Sequence, residues 1–232
     1  MTTSLITRTV VTIDGLAGSG KTAIAKALAS RLGFAHLSSG MVYRALAALA
    51  ANNHVKVDDQ AALISLLGRS ALQISDSSAE SCIVLVGGCP INLDLYSTEV
   101  SRDASIVASL KGVRETLLPV QREAFPGRNL VAEGRDMGTV VFPSAANKYF
   151  LETPLEVRAE RRLRQMQGAD GRINNNEQRD LVLREMINRD RRDREREVSP
   201  TKPATDSVII DNSDRALADV VEDLAGRVLA TQ

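Results

Sequence analysis

The chain has 232 residues, of which 44% are hydrophobic and 25% charged, as expected of one globular domain with an inserted lobe or of two small domains. Its 29 basic and 29 acidic residues cancel, so no overall field favours nucleic acid or an anionic membrane as a partner. Aromatic residues make up only 3% and tryptophan is absent, which disfavours the base-stacking surfaces of proteins that bind single-stranded nucleic acid.

Cysteine and histidine are scarce, which limits the chemistry further. Cys82 and Cys89 do not form a C-x-x-C pair, and we interpret them as reduced thiols, with a disulfide across a hairpin as the alternative. His36 and His54 are too isolated for a zinc site. No apolar run approaches the roughly 18 to 20 residues of a membrane helix, and residues 1–8 lack the pattern of a secretion signal. The sequence therefore predicts a cytoplasmic protein.

The first predicted element is a β-branched run over residues 9–13, short enough for a buried strand. It leads into residues 15–22, GLAGSGKT, which fit the phosphate-binding pattern G-x-x-x-x-G-K-[ST]. Glycines let the backbone curl so that successive N–H groups face an anion, and a helix over 21–32 adds its positive N-terminal end. Strand, loop and helix in this order favour a nucleotide site over a chance glycine-rich turn. The predicted ATP phosphate ligands are Gly15, Gly18, Ser19, Gly20, Lys21 and Thr22.

Magnesium is the metal that such a loop predicts. The hydroxyl of Thr22 is the expected protein ligand, because this position of the pattern faces the metal that accompanies the nucleotide. Asp14, just before the loop, is a further candidate that would act through a bridging water.

A short strand over 34–37 ends at the turn Ser38-Ser39-Gly40, in which Ser39 is predicted to cap an alanine- and leucine-rich helix. Arg44 lies one turn inside this helix and can point back toward whatever its N-terminus binds. The alternative is a strand-to-helix turn without a ligand.

The pattern changes over about residues 70–96. Short strands are predicted over 71–75 and 82–86, around the polar turn 76–81, and Gly87-Gly88 then breaks the pattern. This β-containing insert does not fit a parallel sheet. In the rest of the chain, strands alternate with helices, which predicts an α/β fold with a parallel sheet covered on both faces.

The C-terminal half continues this alternation. Its predicted helices cover 98–109, 112–124, 154–167, 177–196 and 215–229, and its predicted strands cover 129–133, 148–151 and 207–211. The strand over 129–133 runs into the polar segment 134–139, and open α/β sheets bind ligands where strands end in this way.

Arginines are concentrated in the two helices before the last strand. Residues 184–197 hold six arginines and five acidic residues, so the segment is nearly neutral. One interpretation is a solvated helix stabilised by ion pairs one turn apart, with no role in ligand binding. Arg189, Asp193 and Arg196 fall on one helix face, where the carboxylate could bind a ribose hydroxyl and the guanidiniums phosphates. Arg161 and Arg162 precede a glycine- and asparagine-rich break over 168–176, which is typical of a lid that carries charge to a phosphate site.

Four segments together resemble the bacterial-type cytidylate kinases, a nucleoside monophosphate (NMP) kinase family. They are residues 15–22, 39–44 (SGMVYR), 133–143 (EGRDMGTVVFP) and 189–194 (RDRRDR). The resemblance implies the P-loop NMP kinase fold: a five-stranded parallel sheet flanked by helices, a small β insert in the NMP-binding lobe, and a short lid. It implies a single kinase domain over 1–232, with a core over about 9–37, 127–153 and 198–232, an NMP-binding lobe over about 38–126, and a lid with arginine-rich helices over about 154–197.

The same resemblance implies that ATP with Mg²⁺ phosphorylates CMP or dCMP to CDP or dCDP. The implied catalytic residues are Lys21, Arg135, Asp136, Arg189 and Arg196. The implied CMP-binding residues are Ser39, Arg44, Ser105, Arg114, Arg135, Asp136, Arg189, Asp193 and Arg196. Arg161 and Arg162 are expected at the ATP phosphates. We expect a monomer that binds neither nucleic acid nor a membrane.

One departure from the family pattern lies at Ser38. Family members usually carry Asp-Ser-Gly or Asp-Thr-Gly where this chain has Ser38-Ser39-Gly40, so a carboxylate near the acceptor is missing. Replacing a charge-assisted hydrogen bond by a neutral one predicts a loss on the order of 1 kcal/mol in acceptor positioning.

Two alternatives remain open at this point. Another kinase of the same fold, acting on shikimate or a different monophosphate, would share residues 15–22 but gives no reason for the insert or for the segment 134–139. A nucleotide switch or a nucleic-acid-binding ATPase would also use the loop. A switch GTPase, however, would carry an Asn-Lys-x-Asp motif, which this sequence lacks.

Overall fold

The computed structural model describes residues 8–76, 82–170 and 176–231. Most of the polar turn predicted over 76–81 and of the break predicted over 168–176 lies outside these ranges. The strands within them are β1 (Val10–Gly15), β2 (Ala35–Ser38), β3 (Leu72–Asp76), β4 (Cys82–Val86), β5 (Cys89–Pro90), β6 (Leu130–Gly134), β7 (Asn147–Glu152) and β8 (Val208–Asp211). The helices are α1 (Lys21–Leu32), α2 (Ser39–Asn52), α3 (Gln60–Ser70), α4 (Thr98–Val107), α5 (Lys111–Arg122), α6 (Leu155–Asp170), α7 (Asn176–Glu195) and α8 (Leu217–Leu229).

A five-stranded parallel sheet in the order β2-β6-β1-β7-β8 forms the centre of the protein. The near-continuous apolar runs of β1 and β6 are buried on both faces, as a parallel sheet between helices requires. Helices α1 and α8 cover one face through Ile24, Leu28 and Leu224. The predicted α/β fold is confirmed, and all five strands end at one edge of the sheet.

The predicted insert is a separate antiparallel sheet in the order β3-β4-β5. It packs with α2, α3 and α5 around its own apolar cluster, in which Leu46, Leu63, Val84 and Leu117 are buried. The two-residue strand β5 was not predicted, because a run this short carries no periodicity. The division of the chain into core, lobe and lid stays a prediction.

Helices α6 and α7 pack on each other through Ala159, Val182 and Met186. Arg158 anchors this pair to the rest of the protein, because its guanidinium donates to the carbonyl of Ala17 at 3.0 Å and to the Asp190 carboxylate at 2.6 Å. The helix pair is therefore fixed to the loop that follows β1. Among the described helices, none is long and apolar enough to cross a membrane.

Two local features differ from the sequence-based expectation. Ser39 does not cap α2 but is its first residue, and Ser38 occupies the cap position without making a side-chain cap.

A π-helical turn, Met137–Val141, follows β6 and was not predicted. It is held by Asp14, whose carboxylate oxygens accept from the backbone N–H groups of Met137 at 2.9 Å and Gly138 at 2.8 Å.

Candidate active site

A cleft of about 1570 Å³ opens at the edge where the parallel strands end. It is lined by the loop after β1, the first turns of α2, the face of α4, the end of β6, and the inner faces of α6 and α7. The predicted site residues that line it are Gly18, Gly20, Lys21, Thr22, Ser39, Arg44, Ser105, Arg114, Arg135, Asp136, Arg161, Arg162, Arg189, Asp193 and Arg196. Segments far apart in sequence thus meet in one place, while Gly15 and Ser19, also predicted from the loop, are buried.

The loop after β1 has the curled backbone that anion binding requires. Gly18 and Gly20 adopt φ values of 76° and 90°, which favour glycine. A Cβ on Gly15 would lie 2.7 Å from the carbonyl oxygen of Leu151, so the loop leaves strand β1 in close contact with β7. The side chain of Lys21 folds over the loop, and its Nζ donates to the carbonyl oxygen of Leu16 at 2.7 Å. Burial lowers the pKa of Lys21, and the neighbouring guanidinium of Arg135 lowers it further.

Glu133, at the end of β6, joins the loop to the start of α2. Its Oε1 accepts from Thr22 Oγ1 at 3.0 Å and from Ser38 Oγ at 2.5 Å. Burial alone would raise the pKa of Glu133, but the charge of Lys21 and the hydrogen bond from Ser38 bring it below its ordinary value. The carboxylate is therefore ionised at neutral pH.

Arg114 and Asp136 form an ion pair at the floor of the cleft. Arg114 also donates to the carbonyl of Ala108 at 2.9 Å and lies 5.5 Å from the ring centre of Tyr43. Among the described residues, the buried hydroxyl of Ser105 has no hydrogen-bond partner. A planar ligand with several donors and acceptors would find complementary groups here.

Basic side chains from β6 and α7 form a cluster opposite the loop. Arg135 donates from Nε to Asp193 Oδ2 at 2.8 Å. Arg189 lies one turn before Asp193 on α7, and Arg196 follows directly after the helix ends at Glu195. Burial lowers the pKa of Arg189 to about 10, and the adjacent charge of Arg135 contributes to this shift. In the part of the chain that the structure describes, the buried Nε of Arg189 has no acceptor. The cluster holds more positive charge than its own carboxylate neutralises, which suits a phosphate.

The arginines near the mouth of the cleft have different surroundings. Arg161 donates to the carbonyls of Ser19 at 3.3 Å and Asn212 at 2.7 Å, so it braces the loop against the turn after β8. Arg162 lines the cleft. Arg44 lies 5.3 Å from the ring centre of Tyr96, a cation–π contact at the opposite wall.

A model of the cytidylate kinase family matches residues 11–229 of the chain. The chain belongs to this family. A cytidylate kinase of Shewanella denitrificans is 40% identical over 223 residues, which cover 96% of each chain. One of Vibrio vulnificus is 42% identical over 217 residues, which cover 92% of each chain. Among solved structures, a gluconokinase from Sinorhizobium meliloti 1021 is more distant, with 15% identity and a TM-score of 0.40 over 97% of this chain and 93% of that one.

Two carboxylates near the loop have surroundings that the sequence analysis did not predict. Asp14 faces the backbone of the π-helical turn, and Glu133 contacts Thr22 in its place. Glu133 was recognised only as part of the segment 133–143 and was given no role. Its position as the last polar residue of a buried strand was a usable signal, because strand ends in such sheets bind ligands. Tyr96 gave no comparable signal, since an isolated aromatic residue in an irregular segment has no pattern.

Proposed function

We propose that this protein transfers the γ-phosphoryl group of ATP to CMP or dCMP, giving ADP and CDP or dCDP. The observation that carries the proposal is that a member of the cytidylate kinase family has its phosphate-binding loop and its arginine cluster in one cleft. A kinase with two nucleotide substrates needs both, because the transferred group must be neutralised from the donor side and from the acceptor side.

On the donor side, we assign the ATP phosphates to residues 15–22. The curled backbone N–H groups and the N-terminus of α1 hold the α- and β-phosphates, and Lys21 swings from the Leu16 carbonyl to the β- and γ-phosphates. Arg162 meets the phosphates from α6. Arg161 acts partly through its brace on the loop, because its guanidinium already donates to backbone carbonyls.

On the acceptor side, the cytosine is assigned to Ser105, Arg114 and Asp136. Cytosine presents an amino donor where uracil has a carbonyl, and a carboxylate accepts from that amino group but repels the carbonyl. Arg114 and Ser105 supply donors for the remaining acceptor atoms of the ring. Ser39 and Arg44 hold the nucleotide from α2, and Asp193 accepts from the ribose.

The phosphate of CMP is assigned to Arg135, Arg189 and Arg196. These guanidiniums orient one phosphate oxygen toward the γ-phosphorus of ATP. As the new P–O bond forms, the bond to the β,γ-bridging oxygen breaks and ADP leaves with that electron pair. The nucleophile is already anionic, so the protein contributes alignment and charge neutralisation and needs no general base.

Magnesium fits the donor set at the loop. Mg²⁺ takes one or two protein oxygens and completes its shell with substrate phosphates and water, and Thr22 with the adjacent Glu133 offers hard oxygen donors of this kind. Among the described residues there is no group of three or more His, Cys, Asp or Glu side chains that could hold a metal. When bound, the ion would neutralise charge on the β- and γ-phosphates.

We also propose that the enzyme works as a cytoplasmic monomer that needs neither nucleic acid nor a membrane. Both cysteines are free thiols, as is usual where disulfides do not persist, and the net charge is zero. Light scattering on the eluted protein would give the mass of a single chain if this is correct, and twice that mass would overturn the monomer.

Steady-state kinetics test the main proposal. With ATP as donor, we expect kcat/KM for CMP or dCMP to exceed that for UMP, AMP and shikimate by at least about tenfold. Lys21→Met is expected to lower kcat about a hundredfold or more with an unchanged fold, while Lys26→Met, an exposed lysine on the same helix, leaves the rate unchanged. A higher rate with shikimate or AMP than with CMP would contradict the acceptor assignment. A near-normal rate in Lys21→Met would contradict the donor assignment.

A further inference from the structure

Asn212 is a buried amide that contacts the phosphate-binding loop from the end of β8. It follows directly after this strand, is 4% exposed, and donates from Nδ2 to the carbonyl oxygen of Ser19 at 2.8 Å. Its Oδ1 accepts from Oγ1 of Thr153 at 2.6 Å. Thr153 is also buried and follows directly after β7. A buried chain of two hydrogen bonds therefore runs from the end of β7 to the loop.

The sheet itself sets the position of this chain. Glu152 and Asp211 are register partners on the parallel strands β7 and β8. Thr153 and Asn212, each the next residue along its strand, are therefore brought side by side. The turn that carries Asn212 is also fixed, because Arg161 donates to the Asn212 carbonyl at 2.7 Å. Since the Ser19 carbonyl accepts only from Nδ2, the amide has one orientation, with its donor toward the loop and its acceptor toward Thr153.

The carbonyl that Asn212 holds belongs to the same peptide unit as the N–H of Gly20. A trans peptide is planar, so its C=O and its N–H point in opposite directions. Fixing the Ser19 carbonyl against Asn212 thus turns the Gly20 N–H away from the end of β8. Gly20 has a φ of 90° and lines the cleft, where a phosphate oxygen would accept from this N–H.

Arg158 holds the preceding part of the loop in the same way. Its Nη1 donates at 3.0 Å to the carbonyl of Ala17, which shares a peptide unit with the N–H of Gly18. Its Nε donates to the carbonyl of Thr153 at 2.9 Å. Thr153 is therefore the common attachment point of both anchors, through its hydroxyl to Asn212 and through its carbonyl to Arg158.

We propose that Asn212 and Thr153 are positioning residues that hold the loop in its phosphate-binding conformation before ATP binds. The proposal rests on the proposed function, since it takes ATP as the ligand of the loop. Donors that are already oriented need not be ordered by the ligand, and this raises affinity. Without the two contacts, the peptide between Ser19 and Gly20 can rotate, and ATP must order it on binding. The expected consequence is weaker binding of ATP, with CMP unaffected.

Calorimetric titration with ATP alone, without an acceptor, measures this effect. In Asn212→Ala, we expect the Kd for ATP to rise about tenfold, because the Ser19 carbonyl loses its shorter hydrogen bond. In steady-state kinetics, KM for ATP should rise by a similar factor while KM for CMP stays within about twofold of the wild type. An unchanged Kd for ATP would overturn the proposal.

Asn147→Ala is the matched control. Asn147 is also a buried asparagine, 6% exposed, and it donates to Oγ1 of Thr231 at 3.0 Å. It begins β7, however, at the edge of the sheet opposite the cleft. This variant should lower the melting temperature and leave the Kd for ATP unchanged. If both variants weakened ATP binding equally, the effect would be a general loss of stability, and the positioning role would be wrong.

Substitutions of Thr153 separate positioning from direct contact with the nucleotide, because Thr153 lies outside the cleft that Asn212 lines. Thr153→Val removes the hydroxyl in a side chain of similar shape, and we expect it to raise the Kd for ATP about threefold or more. Thr153→Ser keeps the hydroxyl and should bind ATP within about twofold of the wild type.

The two Thr153 variants also decide the matter if Asn212→Ala does not fold. Normal ATP binding by Thr153→Val would overturn the proposal, and so would ATP binding by Thr153→Ser that is no tighter than that of Thr153→Val. The proposed function fails separately, if the wild-type protein binds ATP but does not phosphorylate CMP.

Discussion

Arg114 and Asp136 are paired at the floor of the cleft, with side chains only 8% and 2% exposed. Removing either partner would leave the other as a buried charge without a counter-ion. Two of the three residues that we assign to the cytosine thus also keep this region folded, so under that assignment base recognition and stability depend on the same contact.

Arg114→Ala is therefore expected to have two effects. Loss of the pair should lower the free energy of unfolding by about 3 kcal/mol, because Asp136 stays buried and unpaired. It should also raise KM for CMP and reduce discrimination against UMP. Urea unfolding and kinetics with both acceptors measure these effects, and Arg69→Ala, an exposed arginine on α3, is the control. If only KM for ATP changed, the assignment of the cytosine site would be wrong.

Gly15 and Gly226 give a matched pair of glycine-to-alanine substitutions. A Cβ at Gly15 would lie 2.7 Å from a backbone oxygen, whereas a Cβ at Gly226, inside α8, meets nothing within 4 Å. We expect Gly15→Ala to cost about 2 kcal/mol or more and to abolish ATP binding. Gly226→Ala should stabilise the protein by about 0.5 to 1 kcal/mol, since alanine favours a helix interior. Equal melting temperatures for the two variants would contradict this.

The raised pKa of Asp14 leads us to expect that the free energy of unfolding depends on pH. Burial raises its pKa from 3.8 to about 7, against the hydrogen bonds from Met137 and Gly138. The folded state then retains a proton that the unfolded state releases, so this contribution is complete below pH 3.8 and is lost as the pH rises through 7. The free energy of unfolding of the wild type, measured relative to Asp14→Asn, should fall across this range by up to about 1.4 kcal/mol per pH unit. A difference that is constant with pH would show that Asp14 is ionised throughout.

We expect the ion pair between Arg158 and Asp190 to hold α6 and α7 together and against the loop that follows β1. The side chain of Arg158 is 3% exposed and also donates to the loop carbonyl of Ala17. Arg158→Met should destabilise the protein by about 3 kcal/mol and raise KM for ATP more than KM for CMP. Arg227→Met, which breaks an exposed pair with Asp223 on α8, should cost no more than about 0.5 kcal/mol. If Arg158→Met and Arg227→Met lowered the free energy of unfolding equally, Arg158 would have no specific anchoring role.

The sequence predicted most of the fold because its signals are local. The glycine loop, the apolar runs of β1 and β6, and the change of pattern before β3 each depend on a few adjacent residues. Strand order is a property of the whole chain and was not predicted, and the family resemblance implied only a five-stranded parallel sheet. The π-helical turn escaped prediction because it depends on Asp14, which lies more than a hundred positions away along the chain.

The sequence indicated which residues line the cleft, whose roles stay predictions, but not how those residues pair. Spacing predicted Arg189, Asp193 and Arg196 on one face of a helix. All three line the cleft, although α7 ends at Glu195 and Arg196 lies just beyond it. Spacing could not reveal that Asp193 pairs with Arg135 or that Glu133 reaches Ser38, because these contacts join elements that the sheet brings together. Partner choice between distant charged residues requires the tertiary structure.

The contact between Arg44 and Tyr96 has a practical use. The protein has three tyrosines and no tryptophan, and Tyr43 and Tyr149 are buried while Tyr96 is 63% exposed at the cleft. Tyr96→Trp would introduce a single indole beside Arg44, at the wall of the cleft that we assign to the acceptor. Its fluorescence would follow occupancy of that wall in real time, free of background from any other tryptophan.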